Sequence, residues 1–254
     1  MTDQPTTLEV WSPGRVNLIG DHTDYNDGWV LPLAIDLGTT VRASRRPDQT
    51  LVSTSSRVGE TDRIALAEIA AGPFEGWRAY VRGTAQALID AGHAPPGAEL
   101  TIDSTIPTSG GLSSSASLEI GVALALLALK GESLPADRLA LLAQGVEHRY
   151  AGVKCGIMDQ LAVAAGVPGH ALLIDCRSLA VEPVPLPAGA AVLIIESGAP
   201  RTLAGSAYNE RRAQCDAAVA ALRQLDPAIA ALRDASPALL AEANARGVIE
   251  GLIH

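Results

Sequence analysis

From Ile120 to Leu129 every residue is apolar or glycine, and the run is entered through a loop of small residues, Pro107-Thr-Ser-Gly-Gly-Leu-Ser-Ser-Ser-Ala116. A helix built from such a run has no polar face to offer water, so other elements must enclose it. It is also far shorter than the roughly 20 residues of a membrane span. The run therefore predicts a buried helix inside a layered domain. At 254 residues the chain is long enough for one large domain or two small ones.

The flanking sequence supplies the enclosing elements. Leu8–Trp11 and Val30–Ala43 read as extended chain rich in β-branched residues, and Glu99–Ser104 alternates as a half-buried strand does. Trp77–Ala91 has helical spacing, with Tyr80, Val81, Ala85, Leu88 and Ile89 on one side, and Gly92 ends it. Helices are expected over Pro135–Tyr150, Gly156–Ala165, Arg201–Leu225 and Pro237–Arg246, and strands near Ala171–Asp175 and Ala191–Glu196. Pro183, Pro185 and Pro187 mark an irregular joint. Mixed, segregated runs of strand and helix predict an α+β fold, a two-layer α/β sandwich, and not a doubly wound parallel sheet.

A formal net charge of −9 and a pI near 5.0 argue against a nucleic-acid partner. They do not argue against an anionic nucleotide, which local N–H groups and a cation can hold. Residues Met1–Thr7 are polar and lack an apolar signal core, which with the missing span predicts no membrane association. Cys155, Cys176 and Cys215 are odd in number and include no C-x-x-C pair, so they read as reduced thiols of a cytoplasmic protein.

Four segments carry chemistry. Pro13-Gly-Arg-Val-Asn-Leu-Ile-Gly-Asp-His-Thr-Asp-Tyr-Asn-Asp-Gly28 gathers carboxylates, an imidazole and an Arg of the kind that hydroxyl-rich ligands need. Gly110-Gly-Leu-Ser-Ser-Ser-Ala116 places glycines and hydroxyls before a helix N-terminus, where free N–H groups face an anion. It lacks the Lys of a P-loop. Cys155-Gly-Ile-Met-Asp-Gln160 puts Asp159 at the start of an apolar helix, and Ser206-Ala-Tyr-Asn-Glu-Arg-Arg-Ala-Gln-Cys215 is a charged helix face. Taken singly, each also fits an ordinary loop, a Ser N-cap, a dipole-stabilising Asp or a solvated face.

Together, in this order, the four resemble a galactokinase of the GHMP small-molecule kinase superfamily, over roughly residues 9 to 225. Trp77-Arg-Ala-Tyr-Val-Arg-Gly83 extends the likeness, and Trp77 falls in the region the family uses near the nucleotide base. The resemblance implies ATP-dependent phosphorylation of galactose at C1, the first committed step of galactose catabolism, with ATP and Mg²⁺. It implies catalytic roles for Asp159 and Arg15, sugar contacts at Asp21, His22, Asp24, Gly156 and Tyr208, and Mg²⁺ ligands at Ser115 and Glu147. It assigns the phosphate loop to Ser109, Gly110, Gly111, Leu112, Ser113, Ser114 and Ser115.

The family's two-lobe fold implies a first lobe over 1–180 and the start of a second over 181–254. Three departures stand out. Asp21 replaces the usual Glu, Ser109 replaces the first Gly of the phosphate loop, and the Gly-rich third motif near the family's C-terminus is missing. The last departure implies an incomplete second lobe and little activity from this chain alone. The other readings are a silent galactose- and ATP-binding regulator and a GHMP kinase for mevalonate or homoserine. The His22-Thr-Asp-Tyr25 run argues for a sugar.

Overall fold

In the computed structural model, which describes residues 7–69, 75–107, 110–196 and 207–249, strands and helices alternate in short runs. The first part comprises β1 (Leu8–Asn17), β2 (Trp29–Val30), β3 (Pro32–Arg45), β4 (Thr50–Ser55), β5 (Glu60–Ala65), α1 (Trp77–Asp90) and β6 (Ala98–Ser104). Then come α2 (Ser114–Lys130), α3 (Ala136–Val146), α4 (Met158–Ala164), β7 (His170–Asp175), β8 (Ala180–Pro185), α5 (Ala207–Leu222) and α6 (Pro237–Ala245).

A five-stranded sheet runs β1-β3-β6-β4-β5, and a three-stranded sheet runs β2-β7-β8. Every pairing is antiparallel except β4 with β6. Helix α2 lies on the larger sheet and is enclosed by α1, α3 and α4. This is the predicted mixed two-layer arrangement. Ile120, Val122, Ala123, Leu126 and Leu127 share one core with Val41, Leu100, Val81 and Leu88. A buried polar stitch crosses this interface: Ser117 Oγ lies 2.8 Å from the Ser12 carbonyl and 2.9 Å from Thr39 Oγ1, all three residues buried. At the far end of α2 the Arg45 guanidinium donates to the Leu129 carbonyl, its Nε at 2.7 Å, and so satisfies an orphan acceptor of the last turn.

Several expectations change. β4 and β5 were not legible because the inward positions of β4 include Ser53 and Ser55 beside Leu51, so hydropathy does not alternate. The helix expected over Pro135–Tyr150 is α-helical only to Val146; a π turn occupies Glu147–Ala151. The proline-marked joint is a strand instead, since Pro183 and Pro185 lie in β8, at the sheet edge, where a missing N–H leaves no gap in the ladder. The strand expected at Ala191–Glu196 is not formed: the segment pairs with no described strand, and Leu193 and Ile195 are 80% and 77% exposed. Residues 201–206 of the expected helix at Arg201–Leu225 lie outside the described residues.

After α5, residues Leu222, Ile229, Ala243 and Ile249 form a small core of their own. α6 is capped by Ser236, whose Oγ accepts from the Leu239 amide at 3.1 Å. Among the described residues no helix is long and apolar enough to cross a membrane.

Replacing Ser117 by Ala removes the stitch: the Ser12 carbonyl loses its contact with the hydroxyl, and Thr39 Oγ1 keeps only Ser104 Oγ at 3.1 Å. We expect a loss of about 1–3 kcal/mol in urea unfolding, with the slope of the transition unchanged.

Candidate active site

The loop before α2 and the end of β1 meet because β1 is irregular. Its register against β3 shifts between Pro13 and Arg15, and such a break re-aims the side chain that follows it. A Cβ on Gly14 would lie 2.7 Å from the Leu112 carbonyl, so only glycine lets the strand approach this loop. The Arg15 amide donates to that same carbonyl at 3.2 Å.

Arg15 then makes the central ion pair. Its Nε and Nη2 donate to Asp159 Oδ1 at 2.8 and 2.6 Å, and its Nη1 donates to the Gly111 carbonyl at 2.7 Å. The second Asp159 oxygen accepts from Ser113 Oγ at 2.6 Å. Ser113 precedes α2 in a left-handed conformation, φ 57°, unusual for a residue with a side chain and the kind of strain that collects at functional sites. Asp159 is thus fixed on both oxygens, by a guanidinium from β1 and a hydroxyl from the helix-entry loop. It keeps 28% of its side chain open to solvent.

A second loop, residues 20–28, approaches from the other side. Thr23 Oγ1 donates to the carbonyls of Gly20 and Trp29 at 2.6 and 2.8 Å, which closes the loop at its base. Asp24 lies directly on Gly156, where a Cβ would be 2.0 Å from Asp24 Oδ2. Burial, with Asp159 close by, raises the Asp24 carboxyl to about 6. His22 Nδ1 lies 2.6 Å from Tyr25 Oη, and Tyr208 of α5 completes a triad of rings with centroids 5.6–5.8 Å apart. Tyr208 Oη also accepts from the Gly156 amide at 3.3 Å. Arg212 sits over Tyr25 at 5.0 Å. Asp21 is exposed and accepts from Asn17 Nδ2 at 2.6 Å.

Behind Asp159 lies a third group. Glu147, in the π turn, is buried and hydrogen-bonded to Ser115; desolvation chiefly, and Asp159 in addition, raise it to about 7. Glu119 of α2 is fully buried, with no hydrogen-bond partner on either oxygen, and burial next to Glu147 pushes it well above the usual carboxylate range. Ser115 and Glu147 are hard oxygen donors, and a cation between them would give Glu147 the counter-charge that burial denies it. Among the described residues no cluster of three or more His, Cys, Asp or Glu forms a ready metal cage.

The structure thus brings Arg15, Asp159, Ser113, Gly111, Ser115 and Glu147 to one place, with Asp24, Gly156, His22 and Tyr208 beside it. Leu112 is buried and contributes its carbonyl, Ser114 is exposed at the helix start, and Gly110 turns back on the Pro107 carbonyl at 3.5 Å. Ser109 lies outside the described residues. Trp77 packs on the rim of the main core, its Nε1 3.3 Å from Glu60. Glu119 was missed by reading the sequence, although a lone acid just ahead of an all-apolar run was a usable signal. Asn17 and Arg212 gave none.

The chain is similar to known proteins. The N-terminal domain of the GHMP kinases matches residues 79–167, and the galactokinase galactose-binding signature matches residues 3–45. Over these regions the chain resembles a galactokinase of the GHMP kinases. Galactokinases of Chloroflexus aurantiacus and of Roseiflexus are each 49% identical to it, over 86% and 85% of the chain. A Lactococcus lactis galactokinase crystallised with galactose superposes with a TM-score of 0.85 at 36% identity, covering 98% of this chain and 64% of that one. A Methanococcus jannaschii mevalonate kinase, 24% identical with a TM-score of 0.60, shares the fold. The chain spans 56% of the length of the Chloroflexus aurantiacus relative.

The raised carboxyls set a pH dependence. In the folded chain Asp24 and Glu147 hold protons up to about 6 and 7, whereas unfolded they release them near 3.8 and 4.5. The folded state therefore binds more protons across that window, and unfolding free energy falls as pH rises through it. Asp234, lowered to about 2 by the Ala231 amide and Arg177, acts below it. We expect the ligand-free chain to melt higher at pH 5 than at pH 7.5, and Asp24→Asn to shrink the difference. A melting temperature that rises across this range would contradict the assignment.

Proposed function

We propose that this site binds galactose and the γ-phosphoryl end of ATP, and transfers that phosphoryl to the C1 hydroxyl to give galactose 1-phosphate and ADP. The observation that carries the reading is the two-sided hold on Asp159: Arg15 and Ser113 aim its carboxylate to where the 20–28 loop meets the N-terminus of α2. The galactokinase structure with bound galactose and the galactose-binding signature support the sugar.

In this reading the C1 oxygen forms a bond to the γ-phosphorus while the bond to the ADP oxygen breaks. The hydroxyl proton passes to Asp159, and ADP leaves with the electron pair. Arg15 orients Asp159 through two hydrogen bonds to one carboxylate oxygen and offsets charge on the moving phosphoryl. Such a transfer asks mainly for alignment and charge stabilisation, which a fixed acceptor beside a fixed guanidinium provides. Asp21, His22, Asp24, Gly156 and Tyr208 hold the sugar, and Asp21, one methylene shorter than the family's Glu, reaches it through water. Residues Gly110 to Ser115, leading into the α2 N-terminus, face the phosphates, and the resemblance adds Ser109 to the same loop. Ser115 and Glu147 are the residues that would hold Mg²⁺. When bound, that ion neutralises phosphate charge.

The lobe division near residue 180 and a cytoplasmic location belong to the same proposal; free Cys155, Cys176 and Cys215 fit a reducing compartment. Binding of galactose and ATP without turnover is the second reading.

Asp159→Asn separates chemistry from packing, because Asn keeps the shape and can still accept from Ser113 or Arg15. We expect ADP release in the presence of galactose to fall at least about a hundredfold, with the melting temperature within a few degrees. Retained turnover with a lowered melting temperature would make Asp159 a structural residue. Galactose binding by calorimetry with no turnover in the unsubstituted chain would select the second reading.

A further inference from the structure

Asp27 closes the 20–28 loop in a left-handed conformation, φ 59°. Two arginines far away in sequence hold it there. Arg233 Nη1 donates to the Asp27 carbonyl at 2.7 Å and to Asp175 Oδ1, and its guanidinium lies over the Trp29 ring, 5.2 Å from the centroid. Arg177 Nε donates to Asp27 Oδ2 at 3.1 Å, while its Nη2 reaches Asp234 Oδ1 at 2.7 Å. Asp234 in turn accepts from the amides of Ala230 and Ala231 at 2.9 and 3.0 Å. The network runs from the loop, through the end of β7, into the turn ahead of α6.

We infer that Arg233 and Arg177 are positioning residues for sugar recognition: by fixing Asp27 they set where Asp24 and His22 stand against Gly156 and Tyr208. The inference rests on the galactose reading of the site. Asp24–Asn26 is a 3-10 turn, so Asp27 follows Asp24 by one rigid turn and a shift at one is passed to the other. The Asp24–Gly156 contact has no slack to absorb it, since not even a Cβ fits there. Small misplacements of recognition groups cost binding and rate steeply. Exposed ion pairs as such contribute little to stability. Arg233, however, is only 27% exposed and joins a carbonyl, a carboxylate and a ring from different elements. A lysine cannot span all three, because the planar fork is what reaches them.

Neither arginine is among the residues placed around the sugar, so substitution should weaken binding and spare the transfer step. The test uses the 254-residue chain, calorimetry with galactose, and hydrogen exchange over residues 20–28 and 114–130. For Arg233→Ala we expect galactose to bind about tenfold more weakly, exchange over 20–28 to rise, and exchange over 114–130 to stay put. Where turnover is measured, KM rises and kcat holds. Arg233→Lys should recover little, and Arg177→Ala should act in the same direction. The double variant should cost less than the sum, because both arginines act through Asp27. Unchanged exchange over 20–28, strictly additive effects, or a lowered melting temperature with unchanged galactose affinity would overturn the inference. If the unsubstituted chain binds no galactose while Arg233→Ala still loosens the loop, the hold on the loop stands and the galactose reading falls instead.

Discussion

The burial of α2 is the constraint on which the rest depends. A helix with apolar residues on every side is stable only if something covers each side, and here a sheet and three helices do so. Its N-terminus must still reach the surface, because the first amides of a helix have no internal partners. The fold answers both demands at once. The C-terminal end is closed by Arg45, and the N-terminal end opens at Ser113–Ser115, beside the irregular end of β1. The candidate site lies where the N-terminus of this buried helix meets solvent, and its dipole is directed there.

Electrostatics at that opening are dominated by negative charge. Asp24, Asp159, Glu147 and Glu119 are near enough to influence one another, and Arg15 is the cation placed among them. Arg15 is spent on Asp159, which leaves Glu147 and Asp24 to hold protons at pH values where free carboxyls would not. A protein interior does not gather acids this way for stability, since each buried carboxyl without a counter-charge is a penalty. The arrangement makes sense for ligands that bring cations and hydroxyl donors with them. The paired Ser115 and Glu147 oxygens suit the first, and Asp24 suits the second.

Much of this was legible in the sequence, for physical reasons that can be named. The all-apolar run gave α2, because no other context tolerates it. The spacing of Val81, Ala85 and Leu88 gave α1, and the alternation in Glu99–Ser104 gave β6. Where side-chain type and burial disagree, reading failed. β4 buries Ser53 and Ser55, so its inward face carried no apolar signal. Ala191–Glu196 carries a strand's composition, yet a strand needs a neighbour's backbone, and composition cannot supply one. In the site, Asp159, Arg15 and Glu147 came from motif resemblance, and their mutual contacts are long-range: Arg15 and Asp159 are 144 positions apart. Glu119 was overlooked because an acid in a helix is usually solvated; its place just ahead of the all-apolar run was the one sign of burial, and the packing makes that burial complete.

The 20–28 loop, proposed above to hold the sugar, shows how a loop can be ordered without a hydrophobic core beneath it. Asp24, Tyr25 and Asn26 are each only partly buried. Its order comes from polar contacts to its own ends through Thr23 and Asn26, and from aromatic and guanidinium groups contributed by α5 and the segment before α6. Those outside groups all come from residues that follow Asp159 in sequence. Folding of the segment after β8 is therefore coupled to the order of a loop near the N-terminus. Hydroxyl-rich ligands reward this design. Sugar recognition depends on the angles of a few hydrogen bonds, and a loop held by directional polar contacts keeps those angles better than one resting on a deformable apolar surface. The cost is that order at the site is only as firm as the network around Asp27, and that network draws on both ends of the chain.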